Sequence, residues 1–168
     1  MLLRFALVAL LATSACRLSL EDEPAGRQCM IVTTSPACVE AENMPAVSST
    51  LGWIEPNIFT PNCGGNSCHG MPAGGGSPTG RIVLTTASHD KLVNVDATFA
   101  TGRKLVVPGD IPKSYLMVIM RHLSLDEADP SPAPAPSGDR YMPLGSPAIC
   151  CQKLDAMARW ITDGALNN

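Results

Sequence analysis

The sequence predicts a mainly α domain of short helices and long loops, placed behind an export signal and a tether. Three observations lead there. Apolar residues recur at helical spacing in segments that begin near residues 50, 110 and 146. Fourteen glycines and fifteen prolines interrupt the chain, leaving room for hardly any sheet. The opening "MLLRFALVALLATSAC" has the layout of an export signal.

In that opening, Arg4 precedes the apolar run Phe5 to Ala12, which is too short to span a bilayer. Ser14 and Ala15 then precede Cys16. A cysteine after small residues resembles a bacterial lipoprotein processing site, where lipid is added to that cysteine. Thr13 departs from the leucine usual at its position. Residues 1–15 are thus expected to be a lipoprotein-type signal peptide. Cys16 is the expected lipidation site, and acyl chains on it would anchor the protein to a membrane. The expected location is the periplasmic face or the outer membrane, with a soluble periplasmic or secreted protein as the alternative. Without residues 1–15, eleven cations face fifteen acids, about −4, which argues against nucleic acid as a partner.

Export puts the seven cysteines in an oxidising compartment, where each is expected to be paired, lipidated or bonded to a cofactor. Residues 16–47 show no sustained period and several prolines, so they read as a flexible tether, with Cys29 and Cys38 stapling a small loop. Residues 48–168 make one domain. Its aromatics are few (Trp53, Phe59, Phe99, Tyr115, Tyr141 and Trp160), so its core is thin unless something large fills it.

Leu51, Ile54, Ile58 and Phe59 predict a first helix, capped by Ser49 or Thr50 and kept short or kinked by Pro56 and Pro61. "RIVLTT" reads as extended, and "ASHDKLVNV" as a short helix capped by Ser88. In "KLVVPGDIPKSYLMVIMRHL" Asp110 is the expected cap, and Tyr115, Leu116, Ile119, Met120 and Leu123 form the apolar stripe. "DPSPAPAPSGD" (129–139) predicts a stiff, extended, solvated segment. The last helix is expected from Ser146-Pro147 to Gly164, with Cys150, Leu154, Met157 and Ile161 on its buried face.

The segment with the most chemistry is "NCGGNSCHG", Asn62 to Gly70. Its order is that of a c-type haem attachment site, C-x-x-C-H, but with four residues between Cys63 and Cys68. In such sites two thiols add across the haem vinyl groups, and the adjacent histidine ligates the iron. Cys63 and Cys68 are the candidate thioethers and His69 the candidate ligand. The glycines of the insert "GGNS" ease the bulge that the longer spacing demands.

From about residue 50 to 166 the chain resembles the single-haem cytochrome c-like domains of exported bacterial proteins. The matching stretches are "IFTPNCGGNSCHG", "HDKLVNV", "LVVPGDIPKSYL", "YMPLG" and "WITDGA", of which the first and the "MP" pair concern haem chemistry. The resemblance implies one covalently attached haem c, low-spin and ligated by histidine and methionine. Its task would be to exchange single electrons with redox partner proteins, without enzymatic activity. Met142 matches the position of the family's distal methionine, and Pro143 biases it toward extended backbone. Such a thioether raises the reduction potential.

Rivals exist for each role. Met117 and Met120 read as core residues, Met71 is too near His69 in sequence, His122 reads as a cation at a helix end, and His89 as solvated. Counting cysteines also allows three disulfides in a haem-free, structural or binding lipoprotein. As neighbours, Cys150 and Cys151 are expected to reach elsewhere rather than to bridge each other. A zinc site from Cys63, Cys68, His69 and a later cysteine needs reduced thiolates, which export disfavours. Asp126, Glu127 and Asp129 read as solvated, and "GGG" at 74–76 lacks the lysine and helix of a phosphate loop.

Overall fold

The computed structural model describes residues 29–65, 68–70, 82–136 and 140–168. The signal peptide expected at 1–15 and the lipidation site Cys16 lie outside the described residues. Seven helices are described: α1 (Pro36–Asn43), α2 (Pro45–Ser48), α3 (Leu51–Ile54), α4 (Thr60–Cys63), α5 (His89–Leu92), α6 (Tyr115–Ile119) and α7 (Cys151–Thr162). A π-helical turn, Glu55–Phe59, joins α3 to α4. Among the described residues, extended chain meets only in isolated bridges, such as Val93 with Val106 and Asp96 with Lys104. The fold is mainly α, as the apolar periodicity predicts.

The first helical run, 51–63, starts where Thr50 accepts a hydrogen bond from the Trp53 amide at 3.2 Å, a cap worth about 1 kcal/mol. Pro56, lacking an N–H, does not stop it. The turn widens instead, with the Thr60 amide bonding the Glu55 carbonyl five residues back. Ile54, Ile58 and Phe59 are buried along it. The Glu55 carboxylate accepts from the Ser88 amide and hydroxyl at 2.8 and 2.7 Å. That contact fixes the start of α5 against the first run.

Both later helices differ from expectation at their starts. Asp110 caps a turn, accepting from the Lys113 amide at 3.0 Å, and α6 begins only after Ser114. It ends at Ile119, because Arg121 adopts φ +64° and the His122 amide turns back to the Met117 carbonyl. Helix α7 begins at Cys151 rather than near Ser146. The Cys151 amide bonds the Met30 carbonyl, and Cys150 lies in a parallel bridge with Met30, so the chain must stay extended up to that point. Leu154, Met157 and Ile161 are buried as their spacing predicts, with Trp160 beside them.

The expected tether is a packed element from Cys29 onward. Helix α1 lies on α7, with Cys38 and Ala41 buried between them. Cys29 and Cys38 do not staple each other: the bridges are Cys29–Cys151 and Cys38–Cys150. The adjacent cysteines thus each reach elsewhere. The proline segment is also not solvated throughout, because Ala133 and Pro136 are buried. Their spacing of three matches one turn of polyproline helix, which brings every third residue to the same side.

The two bridges close nearly the same long loop, with sequence separations of 122 and 112. Once one is formed, the other closes only the short span from Cys29 to Cys38. Removing either by Cys→Ser is therefore expected to cost about 2–3 kcal/mol in denaturant unfolding. Removing both is expected to cost more than the two single losses added together. Additive losses would contradict the shared loop.

Candidate functional site

A cavity of about 490 Å³ opens between the first helical run, α5, α6 and the segment 140–146. Phe59, Leu84, Leu92, Leu105, Leu116 and Ile119 give it apolar walls. Cys63, Cys68, His69 and Met142 all line it. The sequence brings these four together from the end of α4, the following loop and the segment before α7.

The cysteine loop is closed by backbone. The His69 amide bonds the Cys63 carbonyl at 3.0 Å, and the Cys68 amide bonds the Gly65 carbonyl at 2.8 Å. A Cβ at Gly70 would run into the Gly64 carbonyl, and one at Gly64 would meet the Thr60 carbonyl. Only glycine permits that approach, so these two residues set the loop's shape. Cys63 is buried and Cys68 exposed, and both are thiols.

His69 is half-buried, with Nδ1 2.9 Å from the Ile82 carbonyl oxygen. A carbonyl only accepts, so Nδ1 holds the proton. In the neutral ring Nε2 then keeps its lone pair, the arrangement that prepares an imidazole as a metal ligand. Met142 is tied down from its amide, which bonds the Ile119 carbonyl at the end of α6 at 2.9 Å. The Met142–Pro143 peptide is cis.

The rivals separate spatially. Met117 is buried in the core and does not line the cavity, whereas Met120 does. His122 turns toward Asp155 on α7, 4.0 Å away, and does not line the cavity either. His89 is engaged rather than solvated: Nδ1 meets Asp90 at 2.8 Å and Nε2 the Ala165 carbonyl at 3.1 Å. Met71 and the 74–76 glycines lie outside the described residues. Cys150 and Cys151 are in disulfides, so neither can complete a zinc site with Cys63. Glu127 accepts from the Ser124 amide and Asp129 pairs with Lys113, leaving no carboxylate cluster with catalytic geometry there.

One residue escaped the sequence reading. Lys153 is buried on α7, one turn after Cys150 on the stripe that also holds Leu154 and Met157. A lysine on an apolar stripe was the available signal. Desolvation holds its ammonium below the ordinary range, against the pull of Cys63. The Cys63 thiol is itself pushed up to about 11, first by burial and then by the charge of Cys68, with Lys153 opposing.

Comparison with protein-family models, with curated proteins and with solved structures finds no match for this chain. Among the described residues no helix is long and apolar enough to cross a membrane.

A raised thiol pKa means that the fold favours the protonated form. Its contribution to stability is whole below the ordinary value of about 9 and is lost as pH rises through about 11. In Cys68→Ser protein, which loses the Cys68 charge but keeps the burial, alkylation of Cys63 by iodoacetamide should accelerate with a midpoint between the ordinary 9 and about 11. A midpoint near 9 would contradict the buried setting.

Proposed function

We propose that this protein is a covalent haem c-binding electron carrier of the cell envelope, held there by lipid at Cys16. The observation that carries the reading is the convergence of Cys63, Cys68, His69 and Met142 on one apolar cavity. Its volume falls in the range of about 300–1,000 Å³ usual for small-molecule and cofactor sites. The residues fit the group. Two thiols meet the cavity from a loop shaped by Gly64 and Gly70. His69 lines it with Nδ1 committed to the Ile82 carbonyl, and the soft thioether is carried by a residue whose backbone amide is tied to the end of α6.

Bound haem supplies the single-electron exchange, and the chain supplies binding, orientation and exclusion of water. Cys63 and Cys68 would hold the porphyrin edge, while the Ile82 carbonyl orients His69. Met142 would complete the iron's ligand set and raise the potential relative to a second histidine. Met120, on the same cavity wall, is the alternative thioether.

The test is the pyridine haemochrome spectrum of mature protein exported by a host with c-type haem maturation. A c-type band is expected, with its loss in Cys68→Ala. Met142→Ala should keep the haem and lower the midpoint potential. A colourless wild-type protein would overturn the reading, leaving a haem-free lipoprotein held by disulfides. Loss of the methionine contribution in Met120→Ala instead would reassign the thioether.

A further inference from the structure

The stretches 129–136 and 140–146 contain a second arrangement. Arg103 is a buried cation, 6 % exposed, and it reaches into the proline segment. It donates to the carbonyls of Asp129, Pro130 and Pro132. The Tyr115 hydroxyl donates to the Pro134 carbonyl at 2.8 Å from a ring that is itself buried. Prolines lack amides, so a segment rich in them offers carbonyl acceptors without competing donors. An arginine fork suits that surface because its donors are fixed in one plane and it remains charged.

The downstream end is fastened by a different residue. Arg121 lies over the Tyr141 ring, 5.6 Å from its centroid, and donates to the Ser146 carbonyl at 3.3 Å. It thus touches residues on both sides of the Met142–Pro143 pair. Its left-handed backbone, φ +64°, turns the chain at the end of α6, beside the Ile119 carbonyl that receives the Met142 amide. Pro136, from the first fastening, and Met142, from the second, line the same cavity.

We propose that Arg103, Tyr115 and Arg121 are positioning residues that clamp the stretches 129–136 and 140–146 beside α6 and thereby hold Met142 at the cavity wall. This rests on the haem reading above and adds to it the means by which the methionine is held. Neither arginine lines the cavity, and Tyr115, whose ring does, acts in the clamp through its hydroxyl on the Pro134 carbonyl. Arg121 acts through the backbone on either side of Met142, and Arg103 and Tyr115 act through the cavity wall that Pro136 shares with it. Loosening the clamp should let the thioether leave the iron while the covalent attachment at Cys63 and Cys68 stays intact.

The experiment compares wild type with Arg121→Leu, Tyr115→Phe, Arg103→Leu and Met142→Ala in haem-loaded protein. Each is read for haem per chain, thermal unfolding, the methionine-to-iron charge-transfer band of the oxidised form, and midpoint potential. Arg121→Leu and Tyr115→Phe are expected to keep full haem content. Their methionine band should weaken and their potential should fall toward that of Met142→Ala. Arg121→Lys, which keeps the charge but not the planar fork, should restore only part of the band. If Arg103→Leu fails to fold, the half-buried Arg121 and the single hydroxyl of Tyr115 still decide the matter. Haem-loaded Arg121→Leu and Tyr115→Phe with unchanged band and potential would overturn the clamp alone. A wild-type protein without covalent haem would overturn the clamp together with the reading beneath it.

Discussion

Apolar walls around a cavity of about 490 Å³ leave many side chains packed on one face only, so they have to be held in place from the other side. A domain with so few aromatics has little volume of its own to place in such a space. The architecture instead braces the walls from outside. Glu55 ties α5 to the first helical run, and the two disulfides tie α1 to the start of α7. Arg103 and Tyr115 tie the proline segment to the body of the domain. The cavity therefore does not depend on a thick core to keep its shape.

The same bracing sets the chemistry of the four residues that meet there. Burial keeps Cys63 protonated, while Cys68 sits at the surface. The Ile82 carbonyl selects one tautomer of His69, and the end of α6 receives the backbone of Met142. Each ligand candidate is thus oriented by a main-chain partner. Main-chain orientation is more rigid than a side-chain partner with free rotamers.

Local patterns in the sequence were legible where a local cause decides the structure. Thr50 caps because its hydroxyl reaches an amide three residues on, and Leu154, Met157 and Ile161 are buried because their spacing puts them on one face. Residue order singled out Cys63, Cys68 and His69, and the resemblance singled out Met142; that all four line one cavity is a result of the fold. What failed depended on distant partners. Helix α1 looked like tether because its eight residues carry no clear apolar stripe and its place on α7 is set by disulfides over a hundred residues away. The late start of α7 follows from the bridge to Met30, which no neighbouring residue announces. The proline segment looked solvated because its acceptors are invisible until Arg103 and Tyr115 are seen beside them. Pro56 was expected to shorten or kink the first helix, and the π turn is the form that irregularity takes.

The central claim is that Cys63 and Cys68 are thioether-bonded to one haem and not to each other. Peptide mass spectrometry on the mature protein, digested without reduction, tests it most directly. The fragment containing Cys63, Cys68 and His69 is predicted to carry the mass of one haem, while separate linked fragments join Cys29 to Cys151 and Cys38 to Cys150. The same fragment found without haem, with Cys63 and Cys68 joined as a disulfide, would contradict the account.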